Sequence, residues 1–326
     1  MKPILVTGGA GYIGSHVVLQ LVERGERVVV LDNLSSGFRD ALLGVELIVG
    51  DVGDRGVVDA LLRDYAIDTV LHFAAHTVVP ESVRDPLKYY ANNTCATRSL
   101  LAACNAAGVR EFVFSSTAAV YGITASGEAS EETETRPINP YGMSKLMSEC
   151  MLRDLSSASA LRHVILRYFN VAGCDPAGRI GQMTRNATLL IKVACEHAAG
   201  KRDQLSVFGT DYDTPDGTCI RDYIHVTDLA SAHLSALEHL RASGQSETLN
   251  CGYGHGYSVR EVLDTVARIS GRTLNVVEQP RRAGDTPKLI ARSDKLESLF
   301  GWRPAHDDLD EIVRTALAWE TNTATL

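Results

Sequence analysis

The chain has 326 residues, 45 % of them hydrophobic and 22 % charged, with a formal net charge of −8. That length exceeds one typical core and points to a large α/β unit with a smaller attached domain, while the ordinary hydrophobic balance excludes wholesale disorder. The acidic surplus argues against a general nucleic-acid binder, which needs a basic face to displace counterions, and no apolar run approaches the ~18 residues of a membrane span.

The first residues, M-K-P-I-L-V-T-G-G, run straight into a strand and offer no signal-peptide core. Seven cysteines, at 95, 104, 150, 174, 195, 219 and 251, are scattered without C-x-x-C spacing, which suits free thiols in a reducing compartment. His72 and His76 lie four apart at a strand end, on no common helical face, so no metal site is expected. A cytoplasmic enzyme is the expectation.

In chain order, apolar runs at 4–7, 28–32, 46–51, 68–75, 111–116 and 163–168 alternate with helical patterns. Fully apolar strands of this kind suit a parallel sheet covered by helices on both faces, so the fold class is doubly wound α/β (Rossmann). Gly25 and Gly108 close two of the helical patterns and are available as left-handed caps. After about Gly173 the alternation fades into turn-rich segments separated by helices near 186–199 and 258–270. This divides the chain into a dinucleotide-binding domain, 1–174, and a smaller α/β substrate domain, 175–326. A segment near 220–250 returns to the first sheet, with its helix at 226–240.

The segment V-T-G-G-A-G-Y-I-G follows the first strand and opens the first helix. Gly9, Gly11 and Gly14 fit G-x-G-x-x-G, and Gly8, Gly11 and Gly14 fit G-x-x-G-x-x-G; either set lets backbone N–H groups approach a pyrophosphate. Asp32 ends the second strand eighteen residues after Gly14, where an acid accepts from an adenosine ribose hydroxyl and repels a 2′-phosphate. NAD is therefore expected rather than NADP. Asp51, at the third strand end, reads either as an adenine contact or as a turn-initiating residue.

Two further stretches carry chemistry. F-S-S-T-A-A-V-Y-G (114–122) holds four hydroxyls at a strand end and no carboxylate, histidine or cysteine. I-N-P-Y-G-M-S-K places Tyr141 and Lys145 four apart at a helix start, on one face. A tyrosine working as a base near pH 7 must titrate about three pH units below its ordinary value, about 4 kcal/mol of differential stabilisation. A neighbouring ammonium and a positive nicotinamide ring supply that sign of charge. Thr117, Tyr141 and Lys145 thus form a set for moving a proton off an alcohol while a hydride leaves its carbon.

T-G-G-A-G-Y-I-G-S-H, L-D-N-L, S-S-T-A-A-V-Y-G, P-Y-G-M-S-K, L-R-Y-F-N, D-G-T-C-I-R-D-Y-I-H-V-T-D-L-A and R-R-A-G-D-T-P together resemble the extended short-chain dehydrogenase/reductase superfamily, and within it the UDP-hexose 4-epimerases, over almost the whole chain. The resemblance implies that Tyr141 takes the proton from the sugar's O4 while the C4 hydride passes to tightly held NAD, and that the 4-keto sugar rotates and takes the hydride back on its other face. Thr117 is implied beside O4, and Lys145 on the nicotinamide ribose. Cofactor contacts carry over to Gly8, Gly11, Tyr12, Ile13, Gly14, Asp32, Asn33, Asp51, Val52, Phe73, Ala74, Ala75, Asn92, Tyr141, Lys145 and Phe169. Substrate contacts carry over to Thr117, Asn170, Asn186, Phe208, Arg221, Arg282, Asp285 and Leu289. Arg221 and Arg282 suit a diphosphate, with a surface salt bridge as the competing reading, and Asp285 suits the uridine ribose. No metal is implied; a homodimer is.

The chain departs from the family pattern twice. Thr77 stands where relatives commonly have a cofactor-contacting lysine. Leu289 stands at the gate for the sugar's C2 substituent, where a tyrosine restricts the site to UDP-glucose and UDP-galactose and small residues admit N-acetylated sugars. Two other functions compete. A nucleotide-sugar 4,6-dehydratase needs an added acid and base, for which Ala118 and Ala119 after Thr117 are unsuited. A non-catalytic NAD sensor has no use for an activated phenol. Of the other hydroxyls, Ser115 and Ser116 are expected to satisfy backbone near the cofactor, and Tyr121 is not expected to be the base.

Overall fold

The computed structural model describes residues 2–322 other than Asn186 and Ala283, with Ser243 as backbone only. Seven strands form one parallel sheet: Ile4–Thr7 (β1), Val28–Asp32 (β2), Leu47–Val49 (β3), Thr69–His72 (β4), Glu111–Ser115 (β5), Arg162–Tyr168 (β6) and Glu247–Cys251 (β7). Their order is β7-β6-β5-β4-β1-β2-β3. Every residue of β1, β2 and β4 is buried, as expected of strands covered on both faces. The edge strand β3 is shorter than its apolar run and partly exposed.

Helices cover both faces because each strand must cross over to reach a parallel neighbour. Tyr12–Glu23 (α1) and Val226–Ser243 (α5) pack on one side, where Val17, Leu21, Leu229 and Leu237 join Ile4, Val6 and Val30 in one core. Arg55–Asp64 (α2), Ala96–Ala107 (α3) and Pro140–Ala158 (α4) pack on the other, around Leu61, Leu100, Leu152 and Phe112. Gly25 and Gly108 hold φ of +77° and +74° after α1 and α3, the left-handed stops that the sequence implied. The helix expected at 226–240 is α5. Its following strand β7 has no apolar run to announce it, since Thr248 and Asn250 interrupt it.

Beyond the sheet, helices Leu190–Ala198, Val259–Ser270 and Leu309–Asn322 enclose a separate core containing Ile191, Val207, Val262 and Ile312. Ser258 and Glu261 form a reciprocal capping box that starts Val259–Ser270. A four-stranded mixed sheet runs Tyr257–Ser258, Ile220–Arg221, Lys288–Ala291, Glu128–Ala129. Its last strand comes from between β5 and α4, so this layer draws on both halves of the chain. Among the described residues no helix is long and apolar enough to cross a membrane.

Candidate active site

The sheet order reverses between β1 and β4, the switch point at which open α/β sheets bind ligands beyond the carboxyl ends of their strands. Gly8 leaves β1 at φ +71°, and a Cβ there would lie 2.4 Å from the Ala74 nitrogen. Gly14 passes so close to the turn that its Cβ would lie 2.3 Å from the Gly8 carbonyl oxygen. These glycines let the turn fold back on itself and on the loop after β4, which carries Phe73, Ala74 and Ala75. Gly11 starts α1 without any side-chain cap, and no acidic residue stands in the first turn. The first N–H groups of α1, including those of Tyr12 and Ile13, have no intrahelical acceptor and present the positive end of the helix dipole. That is a cradle for an anion, and it fits the diphosphate of a dinucleotide. The Tyr12 hydroxyl itself points away from this task, donating to the Gly173 carbonyl at 2.6 Å.

Asp32 is buried at the end of β2. Its two oxygens accept from Ala10 N–H (3.0 Å) and Leu34 N–H (2.8 Å), and burial pushes its titration upward. Asn33 donates to Asp51 (2.9 Å), whose other oxygen accepts from Gly53 N–H at 2.7 Å. Asp51 thus makes the turn that the competing reading proposed while also holding Asn33; Val52, next to it, is buried. Asn92 sits in a wide π-type turn, Tyr90–Cys95, and donates to Asn93. Asn93 escaped the sequence reading. Its buried amide bonds His76 N–H and C=O and the Ser144 hydroxyl, tying the loop after β4 to α4. Thr77 is exposed.

The α4 helix begins where it does because Asn139 accepts from Gly142 N–H (2.9 Å) and Pro140 occupies the first turn. This sets Tyr141 and Lys145 one turn apart, facing inward and almost wholly buried. Thr117 ends the stretch after β5, accepts from Ala119 N–H (3.1 Å) and stands close enough to Tyr141 to draw its phenol's titration down. Thr117 and Tyr141 are therefore neighbours, and Lys145 lies one helical turn further along the same buried face.

Their electrostatics differ from the expectation. Burial pushes the Tyr141 phenol upward, and Thr117 is the group that pulls it down. Burial lowers Lys145 to about 7, against which the Glu149 charge raises it. The Lys145 Nζ lies 4.4 Å from the centre of the Phe114 ring, and among the described residues it makes no hydrogen bond or ion pair. A buried ammonium with all its donors uncommitted fits a group bearing several acceptors, such as a nicotinamide ribose.

Two expectations about the hydroxyl stretch need correction. Ser115 and Ser116 do not satisfy backbone: Ser115 bonds the Tyr168 hydroxyl (2.7 Å), and Ser116 donates to Glu149 (2.5 Å). Glu149 is a carboxylate beside the stretch that its own sequence does not reveal. It is 0 % exposed, and Arg167 grips it through Nε (3.1 Å) and a terminal nitrogen (2.6 Å). Tyr121 donates to Asn250 (2.6 Å) and accepts from Arg167 (3.1 Å), so it is committed elsewhere.

The substrate-side candidates lie on the second layer. Arg221 pairs in register with Leu289, and Leu289 is buried with Ala118, Tyr121 and Phe169, beside the hydroxyl stretch. Phe208 ends strand Leu205–Phe208 with the Arg282 guanidinium 4.6 Å from its ring centre. Arg282 also donates to Asp285 (3.0 Å), the salt bridge of the competing reading, whereas Arg221 donates to the Ile220 carbonyl (2.9 Å). Asn170 opens strand Asn170–Ala172 and donates its N–H to the Asp222 carbonyl (3.0 Å). Asn186 lies outside the described residues.

A parallel sheet with an uncapped glycine turn at its switch point, and a buried tyrosine–lysine pair beside it, defines a nucleotide-binding α/β protein of the extended short-chain dehydrogenase/reductase type. Residues 4–252 match the model of the NAD dependent epimerase/dehydratase family. A UDP-glucose 4-epimerase of Azospirillum brasilense is 57 % identical over 97 % of this chain and 91 % of its own length. The structure of the Brucella ovis UDP-glucose 4-epimerase in complex with NAD superposes with a TM-score of 0.95 at 44 % identity, covering 98 % of this chain and 99 % of that one. The UDP-Glc/GlcNAc 4-epimerase of Campylobacter jejuni does so with a TM-score of 0.86 at 48 % identity, covering 99 % and 100 %. The chain belongs to the NAD-dependent epimerase/dehydratase family.

Proposed function

We propose that the protein interconverts UDP-glucose and UDP-galactose by transient oxidation at C4, with NAD held throughout. The observation that carries this reading is the proximity of Thr117 to Tyr141, with Lys145 one turn on, where the nearby carboxylate Glu149 is locked to Arg167. A carboxylate whose two oxygens are taken up by a buried guanidinium is not free to serve as the acid that a 4,6-dehydratase requires. An epimerase needs none.

The N-terminus of α1 and Asp32 would hold the dinucleotide, and Lys145 and Tyr141 its nicotinamide end. Bound NAD would supply the hydride acceptor and donor. Tyr141 removes the O4 proton and later returns it, with Thr117 orienting both oxygens by hydrogen bonding. The tyrosine is buried, so ionising it requires positive charge close by, and Lys145 carries that charge when protonated. Arg221, Phe208, Arg282, Asp285, Asn170 and Asn186 would hold the UDP part, with Arg282 exchanging Asp285 for phosphate oxygens. Leu289, beside Ala118, would bound the C2 substituent, and its intermediate size leaves N-acetylated hexoses within range. On this reading residues 1–174 with β7 and α5 form the cofactor domain and the remainder the substrate domain.

The outer faces of α3 and α4 would meet those of a second copy, where Met147 is 41 % and nearby Leu87 76 % exposed. A cytoplasmic location suits the free thiols, of which none is paired.

The test is incubation of the purified protein with UDP-galactose and with UDP-N-acetylgalactosamine, without added cofactor, and product identification by NMR. Formation of UDP-glucose is expected. Absence of both C4 epimers would overturn the reading, and a 4-keto-6-deoxy product would establish the dehydratase.

A further inference from the structure

Glu149 stands one helical turn beyond Lys145 on the buried face of α4. Both of its oxygens are fully engaged: one accepts from Ser116 (2.5 Å) and Arg167 Nε (3.1 Å), the other from Arg167 (2.6 Å) and Arg153 (3.2 Å). Four donors saturate a carboxylate, so its position admits no second orientation. The donors come from three elements. Ser116 follows β5 and immediately precedes Thr117, Arg167 lies on β6, and Arg153 lies on α4. Arg167 carries the chain of bonds on to Tyr121, and Tyr121 to Asn250 on β7.

A buried ion pair is weak evidence for a stabilising role, since apolar residues of similar volume often serve as well. What an apolar pair would not reproduce here is the link from the turn of α4 bearing Tyr141 and Lys145 to the strand end bearing Thr117. We propose that Glu149 is a positioning residue for the reaction at Tyr141: through Ser116 it fixes Thr117 against α4, and along α4 it sets a carboxylate facing Lys145. The inference rests on the proposed epimerase reading for its effect on rate, but not for its effect on Lys145.

The groups around Lys145 give the charge its importance. Glu149 lies one turn further along α4 and Tyr141 one turn back, His72 faces it from β4, and the Phe114 ring from β5. His72 is buried, held between Thr7 and Thr97, and stays neutral above about pH 3. Glu149 is the group that raises Lys145 against burial. Without it the ammonium loses its proton at lower pH, and the phenol loses its positive neighbour.

Glu149→Gln keeps an acceptor for Ser116 and removes the charge. Two measurements separate the roles: the Lys145 ammonium titration by NMR of lysine-labelled holoenzyme, and the pH profile of kcat with UDP-galactose. The expected result is a Lys145 midpoint, and an alkaline limb of kcat, displaced to lower pH by about one pH unit. We further expect kcat to fall about tenfold or more, KM to stay within about threefold and NAD content to be unchanged. Glu149→Asp should restore part of the displacement. A folded Glu149→Gln protein with the parental titration and the parental limb overturns the proposal. The charge change also leaves Arg167 unpaired, so Ser116→Ala, which removes one hydrogen bond and no charge, gives a second arm: kcat should fall severalfold with the limb unmoved, and a parental kcat would overturn the link through Thr117. If the parent protein forms no C4 epimer, the epimerase reading fails, while the Lys145 titration still decides for or against Glu149.

Discussion

Tyr141 is buried in the first turn of a helix whose start is fixed by Asn139 and Pro140, so a small change there leaves its surroundings intact. Tyr141→Phe removes only the hydroxyl. It should lower kcat by about 10²–10⁴, the range of a general acid–base group, while bound NAD is retained; kcat and absorbance of cofactor released on denaturation measure both. A variant with parental turnover would exclude Tyr141 as the base. Leu289 makes a separate prediction at the same scale. It packs beside Ala118 and in register with Arg221, so Leu289→Tyr adds volume next to the hydroxyl stretch. Turnover of UDP-N-acetylgalactosamine should fall at least about tenfold relative to UDP-galactose. An unchanged ratio would move the gate elsewhere. Tyr141 and Lys145 were legible as a pair because i,i+4 spacing is a local property of a helix. Glu149 was not, although it stands four residues further on, because nothing in its own segment shows that Arg167 and Ser116 arrive to hold it.

At the scale of elements, β7 joins parts that sequence separates. Asn250 is wholly buried, accepts from Tyr121, and donates to the Ala129 (2.8 Å) and Arg292 (3.2 Å) carbonyls, while its N–H meets Glu131 (2.7 Å). One side chain thereby ties the large sheet to the strand Glu128–Ala129 and to the residue after Lys288–Ala291. Asn250→Ala would leave the Tyr121 O–H without its acceptor and take a donor from the Arg292 carbonyl, each at a cost of about 1–3 kcal/mol, while the Ala129 carbonyl keeps Arg292 N–H. The melting temperature should drop clearly in thermal denaturation; a change within about 1 °C would mean that water replaces the amide. The first six strands were readable because each is built around a run of apolar residues, as parallel strands between covering helices are. β7 was not, because its polar residues are satisfied only by partners far away in sequence. The glycine turn was readable as a motif, but the sequence left open which three glycines matter. Gly8 and Gly14 are required by close approaches to Ala74 and to the turn itself.

Across the whole molecule, five histidines are buried and kept neutral. Burial lowers His16, His163 and His233 to about 4, and His72 and His225 to about 3, from an ordinary 6.5. In the unfolded chain these groups take up protons near pH 6.5, whereas the native chain resists until about 4 or below. The unfolded state then binds more protons, so stability is complete above about 6.5 and is lost as pH falls toward 3. Asp222 acts in the opposite sense: burial raises it to about 6, so its protonation favours the native state on acidification. Asp32 and Glu131 are raised by burial in the same sense, but three carboxyls do not offset five imidazoles, and the melting temperature should decline steadily between pH 6.5 and 4. A flat profile over that interval would show that water or local opening already reaches these rings.

The sequence by itself determined the doubly wound sheet, the glycine turn at its switch point and the spacing of Tyr141 and Lys145, since hydrophobic period, turn chemistry and helical repeat all act within a few residues. Only the tertiary structure decided that Thr117 lies by Tyr141, that Leu289 lies beside Ala118, and that the carboxylate beside the site is bound to Arg167. Each of these depends on strands brought together by sheet order, and a buried polar group takes its meaning from the partner that order supplies.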